Sequence, residues 1–388
     1  MRDAVIVDAV RTAVGRRNGA LSGLDPACLS AHVLDALAER TGLDPALVDA
    51  VVWGCAADVG GRAGGVGRAA VSAAGWPESV TAVAVDRQQG SSQQAVHQAA
   101  AGVVSGQYDV AVAGGVELTG SVPPGATRLH GRAGEPFGPD VLARHGGVRF
   151  QWGAAAQLIA DEYGISRTEM DQHGVDSHHR AARAADEGRF TGQIVPVTVT
   201  GGDGTRRVLA DDEGIRRGST LQTLALLEPA FGTGGGITAG NAAQVSDGAA
   251  ALLVTTGDFA RARGWTPMTR IHTAVAAPTD PVRMFGGPIS ATATALKRAG
   301  LRIGEIGAFE IDEVFAPATL AWLRETGAAY ERMNSLGGAI AIGHPLAGSG
   351  ARLMTTLVHH LHDEGIRYGL QSMCGGSGMA NATVLELL

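Results

Sequence analysis

The order of apolar runs along the chain places the strongest constraint on its fold. In the first 120 residues, runs predicted as strands at 3–8 and 49–54 enclose an amphipathic helix at 27–41. A further run at 83–86 leads into a helix at 91–105, in which apolar residues recur at helical spacing and which Gly106 ends. This alternation predicts an α/β fold with helices on the faces of a sheet.

A similar order of elements recurs after about residue 266, which suggests a duplicated unit. The second set comprises FEIDEVF, a helix at about 346–364 and two terminal strands. Between the two sets, the stretch 120–240 is richer in Gly, Pro and Arg and contains predicted helices at 153–164 and 167–187. We therefore expect one half from 1–119 with 241–265, an inserted domain at 120–240, and a second half at 266–388.

Composition limits which binding partners and which cellular compartment we expect for the protein. The net charge of -7 gives no global basic field, so we expect no nucleic acid partner. Three cysteines without framework spacing favour a reducing compartment. No apolar run approaches the roughly 20 residues of a membrane span, so we expect no membrane and a cytoplasmic protein.

Four segments lie at predicted turns between a strand and the next element, where functional residues gather in α/β folds. They are VDRQQGSSQQAV at 85–96, FEIDEVFA at 309–316, GGAIAIGHPLAGSGAR at 337–352 and MCGGSGMANA at 373–382. Taken alone, His344 is typical of a histidine near a helix N-cap, and Cys374 is typical of a buried cysteine that packs as a small apolar residue. Only the set as a whole favours a catalytic site.

Together, and with the AGNAAQVSDGAAALL stretch at 239–253, these segments resemble the thiolase family, in order and from the first strand to the last. The resemblance implies a duplicated five-layered α/β/α/β/α core and an inserted loop domain that covers coenzyme A. It also implies a homodimer or homotetramer that acts on an acyl-CoA or β-ketoacyl-CoA substrate. The implied activity is an acyltransferase of thiolase type that makes or breaks a carbon–carbon bond in a β-ketoacyl-CoA.

The resemblance also assigns roles to individual residues. His344 matches the histidine that activates the nucleophile, Cys374 the acid/base cysteine, and Gly376 a backbone donor of an oxyanion hole. The helix that begins near Ser91 would add its amide dipoles where the thioester oxygen becomes negative.

The sequence departs from the family pattern at positions that matter for the chemistry. Gln89 stands at the position of the acyl-accepting cysteine, and an amide cannot accept an acyl group. Asp312 replaces the asparagine that helps to fix a water in the oxyanion hole, and a carboxylate there would oppose a developing oxyanion unless it is protonated or paired. Ala243 stands where the family often has serine beside the pantetheine. An engineered substitution would explain Gln89 by itself. The second departure, Asp312, instead favours natural divergence of the protein from the family pattern.

Three functions therefore remain open. The first is the thiolase-type acyltransferase, with its nucleophile absent as the sequence is written. The second is decarboxylation, or a non-covalent aldol-type reaction, of a CoA thioester, by analogy with ketosynthases that carry glutamine at the nucleophile position. The third is a catalytically silent thiolase-like subunit.

Ligands other than the CoA thioester receive little support from the sequence. Basic residues in the inserted domain, at 177–183 and as the arginines at 206, 207, 216 and 217, offer cations for the CoA phosphates, although no single contact can be assigned. No Cys/His set has zinc spacing, so we expect no metal site and no covalently bound cofactor.

Overall fold

A computed structural model of the chain describes residues 2–120, 122, 125–126, 136–201, 204–232 and 234–388. Parts of the expected insertion, at 121, 123–124, 127–135, 202–203 and 233, lie outside the described residues. The strands are β1 Val5–Thr12, β2 Gly15–Arg16, β3 Ala50–Gly54, β4 Thr81–Val85, β5 Val110–Glu117, β6 Ile194–Val195, β7 Val197–Thr200, β8 Arg206–Leu209, β9 Ser246–Thr255, β10 Thr269–Pro278, β11 Ala308–Ile311, β12 Tyr368–Cys374 and β13 Met379–Leu387. The α-helices are α1 Pro26–Thr41, α2 Val66–Ala73, α3 Ser91–Ser105, α4 Pro139–Arg144, α5 Trp152–Glu162, α6 Arg167–Asp186, α7 Leu221–Ala225, α8 Gly257–Ala262, α9 Gly287–Ala299, α10 Ala316–Thr326, α11 Ala339–Ile342 and α12 Ser349–Glu364.

Within the described residues, eleven strands form one mixed sheet. Its main order is β11-β12-β13-β10-β1-β9-β5-β3-β4, with β2 beside β9 and β6 beside β1, while β7 and β8 form a separate hairpin. The two halves of the chain meet where β1 pairs antiparallel with β10, Val5 opposite Arg270. Strand β9 follows the insertion in sequence yet lies between β1 and β5.

The helices and strands stack in five layers. Helices α1 and α2 cover one face of the first-half strands, over core residues such as Leu34 and Trp53. Helices α9 and α10 cover the second half, over Phe309 and Trp322. Helices α3 and α12 pack against each other between the two halves. The expected five-layered α/β fold class is confirmed.

The observed elements differ from the expected ones mainly at their ends. The first strand continues beyond residue 8 to Thr12. It includes the polar residue Arg11, whose side chain is fully buried and pairs with Asp212 at 2.7 Å. FEIDEVF is a strand only as far as Ile311, after which the chain leaves the sheet. The last helix begins at Ser349, after a 3-10 turn at Leu346–Gly348.

The contact between α3 and α12 brings two functional turns together. Ser92 Oγ, in the first turn of α3, accepts a hydrogen bond from the backbone N–H of Ala351 at 2.9 Å. A Cβ atom at Gly350 would collide with the backbone of Gln93. The two helices therefore cross at backbone distance, and the turns that precede them, Gln88–Gly90 and Leu346–Gly348, contact each other.

No helix among the described residues is long and apolar enough to cross a membrane.

The close crossing predicts that Gly350→Ala lowers the free energy of unfolding by about 1–3 kcal/mol, because the added methyl group has no space between the helices. Gly304→Ala is the matched control, since its added methyl meets no atom within 4 Å, and we expect a change within about 0.5 kcal/mol. Urea unfolding followed by circular dichroism measures both. Equal stability of the two variants would contradict the close crossing.

Candidate active site

Gln89 lies in the turn between β4 and α3. Gln88 has a left-handed backbone (φ 51°), and its carbonyl oxygen accepts a hydrogen bond from Ser91 Oγ at 2.5 Å. The turn buries Gln89 completely, one residue before Gly90, which is the N-cap of α3. Neither the amide nitrogen nor the amide oxygen of Gln89 has a hydrogen-bond partner among the described residues. The helix N-terminus therefore carries a buried amide with its hydrogen-bonding capacity free.

His344 stands at the end of the turn that follows α11. Its backbone N–H donates to the carbonyl oxygen of Gln244 at 2.9 Å, and its Nδ1 lies 2.6 Å from Ser349 Oγ. Nε2 has no partner among the described residues. Burial, together with the nearby Arg352 guanidinium, lowers the pKa of His344 to about 3, so the imidazole is neutral at physiological pH. A neutral ring with an unoccupied Nε2 is suited to act as a base.

Cys374 ends β12 and is fully buried, with Sγ 3.7 Å from the carbonyl oxygen of Met284. Burial, with the adjacent Asp312 carboxyl, raises the pKa of Cys374 well above its ordinary value. The group is a thiol at rest, which suits a proton donor better than a nucleophile. The loop after it turns through left-handed backbone at Gly376, where a side chain would collide with Gln88.

Asp312 follows β11, and its backbone N–H donates to the carbonyl oxygen of Ser372 at 2.9 Å. The side chain is fully buried, and its Oδ1 lies 3.8 Å from Nδ1 of His344. Burial raises the pKa of Asp312 to about 7, although Arg352 and the backbone amide of Cys374 partly oppose this shift. Asp312 thus faces the site and not the solvent.

These groups from four separate turns are brought together. The Gln88–Gly90 turn contacts both the Leu346–Gly348 turn and the end of β12. A Cβ atom at Gly90 would lie 3.3 Å from the Cα of Gly375, which follows Cys374 directly. Together with the 3.8 Å separation of Asp312 and His344, these contacts join all the candidate catalytic residues in one region.

A cavity of about 610 Å³ adjoins this region. His344, Gln88 and Ser377 form its polar floor, and Gln88 Nε2 donates to Ser377 Oγ at 2.9 Å. Much of the wall is aromatic or apolar, and all of these residues except Phe315 lie outside the four segments singled out in the sequence: Phe137, Phe150, Trp152, Phe231, Met284 and Phe315. Ala243 also lines the cavity. The apolar wall was missed by sequence reasoning, because its members come from distant segments.

A buried ion pair forms another part of the wall. Arg62 pairs with Glu117, and both side chains are at most 3% exposed. Arg62 also donates to the carbonyl oxygens of Ala56 and Val122, while Glu117 accepts from the backbone N–H of Ala347 at 3.2 Å. Burial raises the pKa of Glu117 to about 7 despite the arginine. The pair thus anchors the turn after His344 to β5.

Glu313, next to Asp312, holds the segment before His344. Its carboxylate accepts hydrogen bonds from Ser177 Oγ at 2.7 Å and from the backbone N–H of Ile340 at 2.9 Å, and it pairs with His173 at 2.9 Å. Burial alone would raise the pKa of Glu313, but these partners lower it. Since Ser177 and His173 belong to α6, this helix is attached directly to the loops that carry Asp312 and His344.

This attachment limits which residues at 177–183 are free to present cations for phosphates. Ser177 and His178 are buried, and Arg180 donates to the carbonyl oxygen of Met333 at 2.8 Å while its guanidinium stacks over Tyr330. Arg217 pairs with Asp186 at 2.7 Å. Arg183, Arg206, Arg207 and Arg216 are exposed. Helical spacing indicated the basic residues but not which of them face inward.

Among the residues that the structure describes, no group of three or more His, Cys, Asp or Glu side chains is arranged to hold a metal ion.

Comparisons with known proteins agree with this geometry. The family model for the thiolase N-terminal domain matches residues 4–258, and the model for the thiolase C-terminal domain matches residues 265–387. The chain is 44% identical to a steroid 3-ketoacyl-CoA thiolase of Mycobacterium tuberculosis, over all of this chain and 95% of the relative. It is 39% identical to a 3-ketoacyl-CoA thiolase of Aeromonas salmonicida, over the full length of both.

Among solved structures, an acetyl-CoA acetyltransferase of Bacillus anthracis superposes with a TM-score of 0.92. It is 33% identical in sequence, and the match covers 100% of this chain and 99% of the other. Sequence, family models and fold thus agree along the whole length, and the chain belongs to the thiolase family, as an acyltransferase of thiolase type.

Proposed function

We propose that the protein binds a β-ketoacyl-CoA in the cavity above His344 and holds there the acid/base groups and oxyanion donors for a reaction at the bond between its α- and β-carbons. The acyl acceptor is absent at Gln89 and is supplied when cysteine stands there. The observation that carries this proposal is the concentration of buried polar atoms without a partner among the described residues, in the turns beside the cavity: both amide atoms of Gln89, Nε2 of His344 and both carboxyl oxygens of Asp312. Buried polar groups are normally satisfied in folded proteins, and unsatisfied ones gather at functional sites.

The roles follow from the state of each group. Neutral His344 is the base. Cys374, a thiol at rest, gives a proton to the α-carbon, and only its thiolate form removes one in the reverse direction. The backbone N–H of Gly376 and the N-terminus of α3 meet the charge that develops on the thioester oxygen. Gln89 occupies the nucleophile position but cannot carry the acyl group.

Coenzyme A, as part of the substrate, would enter between the insertion and the core. The cavity wall combines Trp152 and Phe231 of the insertion with Phe315 and Val245 of the core, and Phe231 is 57% exposed. The aromatic wall and the relative named a steroid 3-ketoacyl-CoA thiolase together favour a bulky, ring-bearing acyl group.

The chemistry of position 89 gives a direct test. With Gln89, peptide mass spectrometry after incubation with acetyl-CoA should show no acetyl adduct on the peptide containing Gln89, because an amide is not a nucleophile. Gln89→Cys should acquire the adduct and thiolytic turnover, since a helix N-terminus and a neighbouring imidazole both favour a thiolate.

Adding His344→Ala to Gln89→Cys should slow acylation by roughly 100-fold or more, the usual effect of losing a general base. Cys28, exposed on α1, reports background acylation in every sample. A folded Gln89→Cys variant that neither acylates nor turns over with any β-ketoacyl-CoA would refute the proposal.

Gln89 itself favours decarboxylation of a malonyl-type thioester as a second candidate activity. Its free amide donor and acceptor lie in the site with neutral His344. Loss of CO₂ from the bound malonyl group would leave an enolate, which Cys374 would protonate to give the acetyl thioester.

The unchanged protein should then convert malonyl-CoA to acetyl-CoA, and Gln89→Ala should reduce this rate by roughly tenfold or more, because a preorganised donor to the enolate is lost. Chromatography of the CoA esters measures the conversion. If the unchanged protein converts malonyl-CoA no faster than buffer does, this second activity is wrong. If Gln89→Cys also shows neither acylation nor thiolytic turnover, the results favour a catalytically silent subunit.

We also propose a homodimer formed through β4. This strand ends the sheet, so one side of its backbone has no neighbour in the sheet, and Thr81, Val83 and Ala84 are exposed. An unprotected apolar sheet edge invites pairing with another strand, and a second copy offers the same edge in antiparallel orientation.

Light scattering should therefore show a dimer, and Val83→Lys should shift the mass toward the monomer, because it places a charge on the paired edge. Leu388→Lys is the control, since that residue is also exposed, at 60%, but lies at the chain end on the other half. A monomer without any substitution, or a dimer that Val83→Lys leaves intact, would contradict pairing through β4.

A further inference from the structure

Asp312 combines complete burial with the absence of any cation bound to it. Its side chain is 0% exposed, and neither carboxyl oxygen has a well-formed hydrogen bond among the described residues. His344 lies 3.8 Å away, beyond hydrogen-bond distance, and its Nδ1 is already engaged by Ser349. The backbone amide of Cys374 and the field of Arg352 favour the charged carboxyl group, but burial outweighs both and raises its pKa.

Arg352, in the first turn of α12, is close enough to influence Asp312 without forming an ion pair with it. All three guanidinium nitrogens are buried and none has a hydrogen-bond partner among the described residues. Arg352 also interacts with two other carboxyl groups, Glu310 and Asp212. Its field is therefore divided among three acids.

The other groups facing Asp312 add no positive charge. They come from the loop after β11, the turn before α12 and the end of β12: Glu313, His344 and Cys374. Glu313 is an anion that disfavours a second negative charge, and His344 is neutral. An isolated carboxylate is far more costly to bury than the neutral acid.

We propose that Asp312 functions as an uncharged carboxylic acid that donates a hydrogen bond to the substrate oxygen as this oxygen becomes negative. This inference rests on the proposed function, because it requires a thioester or keto oxygen in the site. A protonated carboxyl group has an O–H to donate, as an amide has an N–H, so the acid can occupy this position without repelling the oxyanion. No proton transfer is required, and the donor is placed before the reaction starts.

The proton on Asp312 can be observed in the unchanged protein. Infrared difference spectra between the protein and Asp312→Asn should show the C=O stretch of a protonated carboxylic acid that disappears with a midpoint near pH 7, because burial raises the pKa of Asp312 to about 7. Asp363→Asn, which removes a half-exposed acid from α12, should show no such band. A carboxylate spectrum for Asp312 at about pH 5.5 would overturn the inference whatever the enzyme does.

The donor role is tested by turnover in the Gln89→Cys background from about pH 5.5 to about pH 9. Because only the protonated form donates, the rate of Gln89→Cys/Asp312→Asn relative to Gln89→Cys should be nearly constant below about pH 6.5 and rise by roughly tenfold per pH unit above 7. The amide of the Asp312→Asn variant keeps its N–H donor at every pH. The ratio of the two rates therefore reports the titration of Asp312, because the effects of other titrating groups cancel.

Asp312→Leu removes the donor and should lower kcat by roughly 100-fold at about pH 6, with little change in KM, since the hydrogen bond strengthens in the transition state. Thermal unfolding verifies that each variant is folded. The donor role would be overturned if Gln89→Cys is active but the ratio of the Gln89→Cys/Asp312→Asn rate to the Gln89→Cys rate stays constant across the pH range. An inactive Gln89→Cys would refute the proposed function instead, while the infrared result would stand on its own.

Discussion

The crossing of α3 and α12 at Gly350 is the contact on which the site depends. Because the backbones touch there, the turns before the two helices end up side by side, with Gln89 in one and His344 in the other. A larger residue at the crossing would separate the turns even if each helix kept its own structure. Helix packing in the centre of the molecule thus sets the geometry of the chemistry.

The site formed in this way is held largely free of charge. Burial keeps His344 neutral, Cys374 a thiol and Asp312 close to the point where it is protonated at neutral pH. Gln89 is uncharged at any pH. A neutral site surrounded by fixed donors suits a reaction whose negative charge exists only in the transition state, because nothing in the ground state competes for those donors.

Buried carboxyl groups with hydrogen-bond partners are arranged around this neutral centre and hold it in place. Glu313 ties the segment before His344 to α6, and the pair of Arg62 and Glu117 ties the segment after it to β5. The hydrogen bonds of two buried carboxyl groups, Glu313 and Glu117, therefore restrict the backbone on both sides of His344. Helix α6 takes part directly, through Ser177 and His173.

The sequence by itself determined the α/β class, the helix at 91–105 and the positions of Gln89, His344, Cys374 and Asp312, because local periodicity and short motifs carry that information. It did not determine that Arg11 lies inside a strand, that Arg180 faces inward, or that Phe231 and Trp152 line one cavity. It also left open whether Asp312 opposes the oxyanion. Those features depend on burial and on partners distant along the chain, such as Asp212 for Arg11 and Tyr330 for Arg180. Only the tertiary structure decides them, since the charge of a group is set by the surroundings in which the fold places it.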